Sequence, residues 1–229
     1  MQLVRLARPL YFYFRLARDP RELDRVFQMR DAASDPRLSR AVHDRLAEEP
    51  EGRAAFATRP RLGRLTLAEL RAMPEGSLGR EYGAFMERHA LTPDSIPHVV
   101  GDEGPEYMRA HLYETHDLWH VLTGFAPDTE GETGLQAVYA AQLPGMLHAA
   151  LVSALLLNAA IERSSRKSKE RFDAVARGWD LGTRAKLLFG YRWRDNLERP
   201  LADVRRELGV DASLALPRAL RTVLETDLS

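Results

Sequence analysis

The chain has no cysteine among its 229 residues. That excludes disulfides, thiolate metal sites and cysteine nucleophiles, and it suits a reducing compartment. There is no net charge either, since 33 basic residues balance 33 acidic ones. Whole-molecule attraction to a polyanion is therefore missing, and no nucleic-acid partner is expected. Lysine is nearly absent, at Lys167, Lys169 and Lys186 only, so arginine carries the positive charge. That bias reads as base composition, not as chemistry. No apolar run reaches the roughly 20 residues that cross a bilayer; the longest tract, 135–161, is broken by Pro144-Gly145. No alternating apolar run argues for a sheet, and no repeat or linker divides the chain.

What is present is helical periodicity with 45% hydrophobic residues, enough to bury a sizeable core. The expected fold is all-α: a single-domain multi-helix bundle with a central apolar helix and a metal site between two helices. Residues 1–18 are set apart from the helical domain 19–229. They carry Arg5, Arg8, Arg15 and Arg18 around Tyr11-Phe12-Tyr13-Phe14, with no acid before Asp19. Such a basic, aromatic helix fits either membrane-surface contact or an ordinary first helix docked by its aromatic side.

Asp19-Pro20 and Ser34-Asp35-Pro36 each read as helix starts, followed by Leu23, Val26 and Phe27, and by Leu38, Val42 and Leu46. Residues 49–65, punctuated by Pro50, Gly52, Pro60 and Gly63, read as a loop with one short helix at most. Thr66 and Ser77 are helix caps, and the second helix turns Leu78, Tyr82, Phe85 and Met86 inward. Pro93 and Pro97 keep the next stretch extended. The tract 146–161 is apolar on nearly every side, so core, a partner subunit or a lipid chain must cover it; a homodimer is one expectation from it. A helix over 170–189 is expected to bury Phe172, Val175, Ala176, Trp179 and Thr183. Pro200 opens a short helix ended by Gly209, and 214–228 forms a last one.

The chemistry concentrates in Thr115-His116-Asp117-Leu118-Trp119-His120, with Glu132 further on. His116 and His120, four residues apart on a helix, stand on one face about a turn apart, as two imidazoles converging on one metal would. Asp117 is rotated about 100° from His116 and can serve as a third ligand or as a partner of one. Gly124 and Pro127 end the helix, and a loop through Gly131 returns the chain with Glu132 near the start of the next. The competing reading is a pair of satisfied core histidines. Two buried carboxylates in apolar surroundings weigh against it, because unpaired charge is costly there.

The spacing His-Asp-x-x-His, eleven residues, Glu resembles the signature of the ubiquinone-biosynthesis protein 4 family. Three further segments are similar in order and character: GSLGREYGAFMERHALTPDSIP, EGETGLQAVYAAQ and GWDLGTRAKLLFGYRWRDNLERPLADVRRELGV. The likeness spans about Arg18 to Val210. It implies an all-helical, peripheral membrane protein whose His116, Asp117, His120 and Glu132 bind a divalent metal, zinc first and iron as the alternative, since two His and a carboxylate also make iron oxygenase sites. It implies oxidative decarboxylation of a prenylated hydroxybenzoate and association with other quinone-biosynthesis enzymes. The start near the first helix suggests a bacterial member, cytoplasmic and peripheral to the inner face of the cell membrane. On that reading Leu78, Tyr82 and Phe85 line a groove for the prenyl tail, and Arg109 is a candidate partner for the substrate carboxylate. Two other classes stay open: a non-catalytic prenyl-lipid scaffold, and an HD-type phosphohydrolase drawing on His43-Asp44 with His89, His98 and His111.

Overall fold

The computed structural model describes residues 10–11, 13–20, 36–93 and 99–217. Among these, every regular element is helical, and the single β-bridge, Ser77 to Pro200, is isolated. The expected helix after Asp19-Pro20, His98, and most of the expected last helix lie outside the described residues.

The helices are α1 (Pro36–Glu48), α2 (Pro50–Thr58), α3 (Leu67–Ala72), α4 (Leu78–Arg88), α5 (Gly104–Thr123), α6 (Thr129–Gln142), α7 (Leu147–Ile161), α8 (Ser165–Arg184) and α9 (Leu201–Leu208). Backbone contacts group them into two units. One comprises Arg40–Gly124 with Arg184–Ala212; the other has the described residues up to Ser39, Phe125–Thr183 and the residues from Ser213.

In the first unit, α2 is the one short helix allowed for within 49–65, and the residues after it are loop. Pro50 occupies the start of that helix, where its missing N–H costs nothing, and Arg59 ends it in the left-handed region at φ 48. Thr66 starts α3 with a capping box, its hydroxyl taking the Glu69 N–H while the Glu69 carboxylate takes the Thr66 N–H. Ser77 caps α4 through the Arg80 N–H. The inward face of α4 is as expected: Leu78, Tyr82, Phe85 and Met86 are buried. They pack on α5, whose buried residues include Leu118, Trp119 and Leu122.

In the second unit, residues 13–18 are helical and dock on α7. Leu16 and Ala17 pack with Leu151 and Ala154, the Tyr13 hydroxyl lies 3.1 Å from the Ser153 hydroxyl, and Asn158 donates to the Arg18 carbonyl. Leu10, Tyr11 and Phe14 stay exposed. The docked-helix reading therefore describes one face, and an aromatic face remains outside. On α7 one stripe is buried (Leu151, Ala154, Leu155, Ala159), while Met146 and Ile161 at its ends are exposed.

Helix α8 corrects the sequence in two ways. It runs Ser165–Arg184 instead of 170–189, and it buries the face opposite to the one expected: Arg171, Ala174, Arg177, Gly178, Leu181 and Gly182 are inside, whereas Phe172 and Trp179 are exposed. The reason is backbone proximity to α6. A Cβ on Gly178 would sit 2.0 Å from the Gly134 carbonyl oxygen, and one on Gly182 2.8 Å from Ala141 Cβ. No aromatic fits a contact that close. The two buried guanidiniums are satisfied, Arg171 by the Leu155 carbonyl and Arg177 by Asp173, Glu130 and the Ala215 carbonyl. Ala212–Ala215 is a 3-10 turn, which takes in the first two residues of the expected last helix.

Candidate metal centre

Helix α5 is buried along most of its length, so its polar side chains must be satisfied internally. Thr115 and Thr123 do this within the helix, donating to the carbonyls of His111 and Trp119 at 2.8 and 2.7 Å. Glu114 is gripped by Arg61, whose Nε lies 3.1 Å from both carboxylate oxygens. Burial works to raise the Glu114 carboxyl, and the Arg61 hydrogen bond and charge outweigh it, so it is held below its ordinary range. Gly124 ends the helix at φ 84, its N–H reaching the His120 carbonyl at 2.8 Å. The open carbonyls of Val121 and Leu122 accept from the Arg205 guanidinium at 2.9 and 2.8 Å. The helix is thus fixed at both ends of the histidine segment.

On this helix His116 is half-buried, and Asp117 and His120 are buried. The His116 and His120 rings are 4.9 Å apart between centroids and nearly perpendicular. Phe85 stacks on His120 at 5.7 Å. Burial, with the negative charge of Asp117, keeps the Tyr82 hydroxyl protonated far above its ordinary range. Leu78, Tyr82 and Phe85, expected to line a tail groove, are buried where α4 packs on α5.

Glu132 lies in the first turn of α6, half-buried. The sequence placed the loop through Gly131, but the helix begins earlier. Asp128 caps it by accepting the Gly131 N–H at 2.8 Å. Only residues 124–128 separate α5 from α6, so the chain itself tethers this first turn to the end of the histidine helix. One ligand atom from each of His116, His120 and Glu132 lies within 4.8 Å of the others. Two imidazoles and one carboxylate form a donor set that suits zinc or iron and leaves coordination positions for substrate. Asp117 is the immediate neighbour of His116 on α5 and is not part of that group of three.

The other candidates are placed elsewhere. Arg109 is exposed on α5. His43 and Asp44 bond to each other at 2.9 Å on the surface of α1. His89 is a ring neighbour of Phe85 at 4.8 Å. His111 is structural: Nδ1 donates to the Pro60 carbonyl, and Nε2 accepts the Gly190 N–H, both at 3.0 Å. Among the described residues, His43, His89 and His111 belong to no metal group; His98 lies outside them. The sequence reading missed Gln136 and His148, joined at 2.9 Å in the other unit. Two polar residues inside an apolar tract were the available signal.

An all-helical chain with a histidine pair on a buried helix and a carboxylate on the next defines a class of helical protein with a candidate metal site. Comparison makes the assignment specific. The model of the family described as coenzyme Q (ubiquinone) biosynthesis protein Coq4 matches residues 12–213, and the chain belongs to that family. It is 32% identical over 200 residues to the mitochondrial ubiquinone biosynthesis protein COQ4 of Pyricularia oryzae, covering 84% of this chain and 64% of that protein. It is 30% identical to the corresponding Talaromyces stipitatus protein, covering 85% and 68%. The chain thus spans about two thirds of the length of these relatives. The crystal structure of a Nostoc punctiforme protein provisionally assigned to ubiquinone biosynthesis superposes with TM-score 0.76 at 28% identity, over 89% of this chain and 97% of that one. Among the described residues, no helix is long and apolar enough to cross a membrane.

Proposed function

We propose that this member of the family acts on a prenylated hydroxybenzoate during ubiquinone biosynthesis, replacing the ring carboxylate by a hydroxyl at a divalent metal held by His116, His120 and Glu132, with Asp117 beside them. The observation that supports this reading is the grouping of those two imidazoles and one carboxylate on consecutive helices. A bound dication would hold ring oxygens of the substrate and neutralise charge developing on the ring.

The chemistry balances with dioxygen as the oxidant. The ring–carboxylate bond breaks, carbon dioxide leaves, a ring–oxygen bond forms, and dioxygen with one water yields the phenol and hydrogen peroxide. Zinc has no redox chemistry of its own, whereas the same donors suit iron(II), so metal identity belongs in the test. The chain's own contributions are to fix the two imidazoles through the packed α5 helix and to deliver the carboxylate on a capped helix start.

The exposed Leu10, Tyr11 and Phe14, next to Arg15 and Arg18, are the proposed membrane-contact face, suited to a substrate whose tail lies in lipid. Co-sedimentation with anionic vesicles, lost on Tyr11→Ser with Phe14→Ser, tests that face. Pairing of two copies through the exposed ends of α7 (Met146, Ile161) is tested by sedimentation, and association with other quinone-biosynthesis enzymes by co-purification.

The deciding experiment is aerobic turnover of a prenylated hydroxybenzoate by protein reconstituted separately with zinc and with iron(II), following the ring product by mass spectrometry. Metal-dependent loss of carboxylate and gain of hydroxyl is the expected result. Tight binding without turnover in both metal forms would overturn the enzyme reading and leave a lipid-presenting scaffold.

A further inference from the structure

Glu132, Gln136 and Tyr139 follow one another at four and three residues along α6, so they share one stripe of that helix, with Gln136 one turn, about 6 Å, beyond Glu132. The α7 helix sets His148 against this stripe. Its Nδ1 lies 2.9 Å from Gln136 Oε1, and its ring stacks on Tyr139 at 4.8 Å with only 11° between the planes. Both Gln136 and His148 are buried, at 7% and 8% exposure.

That arrangement fixes which way the amide faces. With Gln136 Oε1 accepting from His148 Nδ1, the Nε2 amino group points away from the imidazole with two N–H donors. Among the described residues, His148 is the one hydrogen-bond partner of the Gln136 side chain. Gln136 Nε2 is not among the fully buried, partnerless polar atoms of the described residues, so the amino group reaches accessible space, where a ligand can supply the acceptor.

We propose that Gln136 is a substrate-binding residue, donating through Nε2 to a ring oxygen or carboxylate oxygen of the aromatic substrate, and that His148 is the positioning residue that holds the amide in its donating orientation. This rests on the proposed function, whose ring oxygens would lie at the metal near Glu132, one turn away on the same stripe. The pair reads the oxygen pattern of the head group, not the tail. Neither side chain belongs to the ligand group itself, so both can be changed without removing a metal donor.

The test is equilibrium binding of two probes to metal-loaded protein of measured metal content: 3-geranyl-4-hydroxybenzoate, and geranylbenzene, which keeps ring and tail but lacks both oxygen substituents. Gln136→Leu should weaken the hydroxybenzoate about tenfold or more, the worth of a hydrogen bond to an ionised group. Geranylbenzene affinity and metal content should stay as in the wild type, while Tm falls modestly because His148 Nδ1 loses its acceptor. His148→Phe keeps the ring stack but frees the amide, and should weaken the hydroxybenzoate by a smaller factor; it also serves if Gln136→Leu fails to fold. Equal weakening of both probes, or no change in either, would overturn the assignment while leaving the proposed function standing. A wild type that binds neither probe would sink both.

Discussion

Removing the His111 imidazole should destabilise the protein strongly near neutral pH and much less in mild acid. His111 is fully buried, and each ring nitrogen is committed: Nδ1 donates to the Pro60 carbonyl, and Nε2 accepts from Gly190. Only the neutral ring fits, because a proton on Nε2 would face the Gly190 N–H. Gly190 cannot move aside, being held at φ 79 where a Cβ would lie 2.1 Å from Ala55 Cβ. Burial accordingly lowers the His111 pKa from 6.5 to about 4. An unfolded chain takes up this proton near pH 6.5 and the folded chain only near 4. The stabilisation is therefore complete above 6.5 and is lost as pH falls through that window, amounting to about 2 kcal/mol by about pH 5. His111→Leu orphans two buried backbone groups and should cost about 3 kcal/mol at about pH 8. At about pH 5 the gap from wild type should narrow by about 2 kcal/mol, since leucine has no proton linkage. Urea unfolding followed by circular dichroism at both pH values measures this. A gap that stays constant with pH would refute the reasoning.

Further outcomes follow from the same packing. Gly178→Ala should cost about 3 kcal/mol or prevent folding, because the new methyl collides with the Gly134 carbonyl, a backbone atom that cannot rotate away; thermal unfolding measures it, and a Tm unchanged from wild type would mean α6 and α8 lie farther apart. Thr66→Ala removes one half of the capping box and should cost about 1 kcal/mol in the same assay. Arg61→Leu strands the Glu114 carboxylate beside the histidine helix. It should cost about 2 kcal/mol in urea unfolding, discounted because Arg61 is itself partly exposed.

The histidine helix was legible because its signals are local. The apolar flanks, the four-residue spacing and Gly124 all act within one element, and α5 ends where that glycine lies. The caps Thr66 and Ser77 were readable for the same reason. Helix α8 was not, because the rule that the apolar stripe faces inward assumes room for it. There the facing element approaches to glycine distance, so the small residues went inside with two paired arginines, and Phe172 and Trp179 were left outside. Within 49–65 the sequence allows one short helix but does not place it; Pro50 opens it directly after α1. Proline marks a helix start as well as a break, and only the tertiary fold says which. The Gln136–His148 pair lies twelve residues apart across a helix break, a contact that spacing alone does not reveal.

The claim on which the functional account depends is that His116, His120 and Glu132 hold one metal ion. Elemental analysis of purified wild type, His116→Ala and Glu132→Ala after equilibration with zinc or iron(II) and removal of excess tests it, with circular dichroism to confirm the helical fold. The account predicts about one ion per wild-type chain, loss of that ion in each variant, and helical content largely retained. Full metal content in folded variants would contradict the ligand assignment and the proposed function with it.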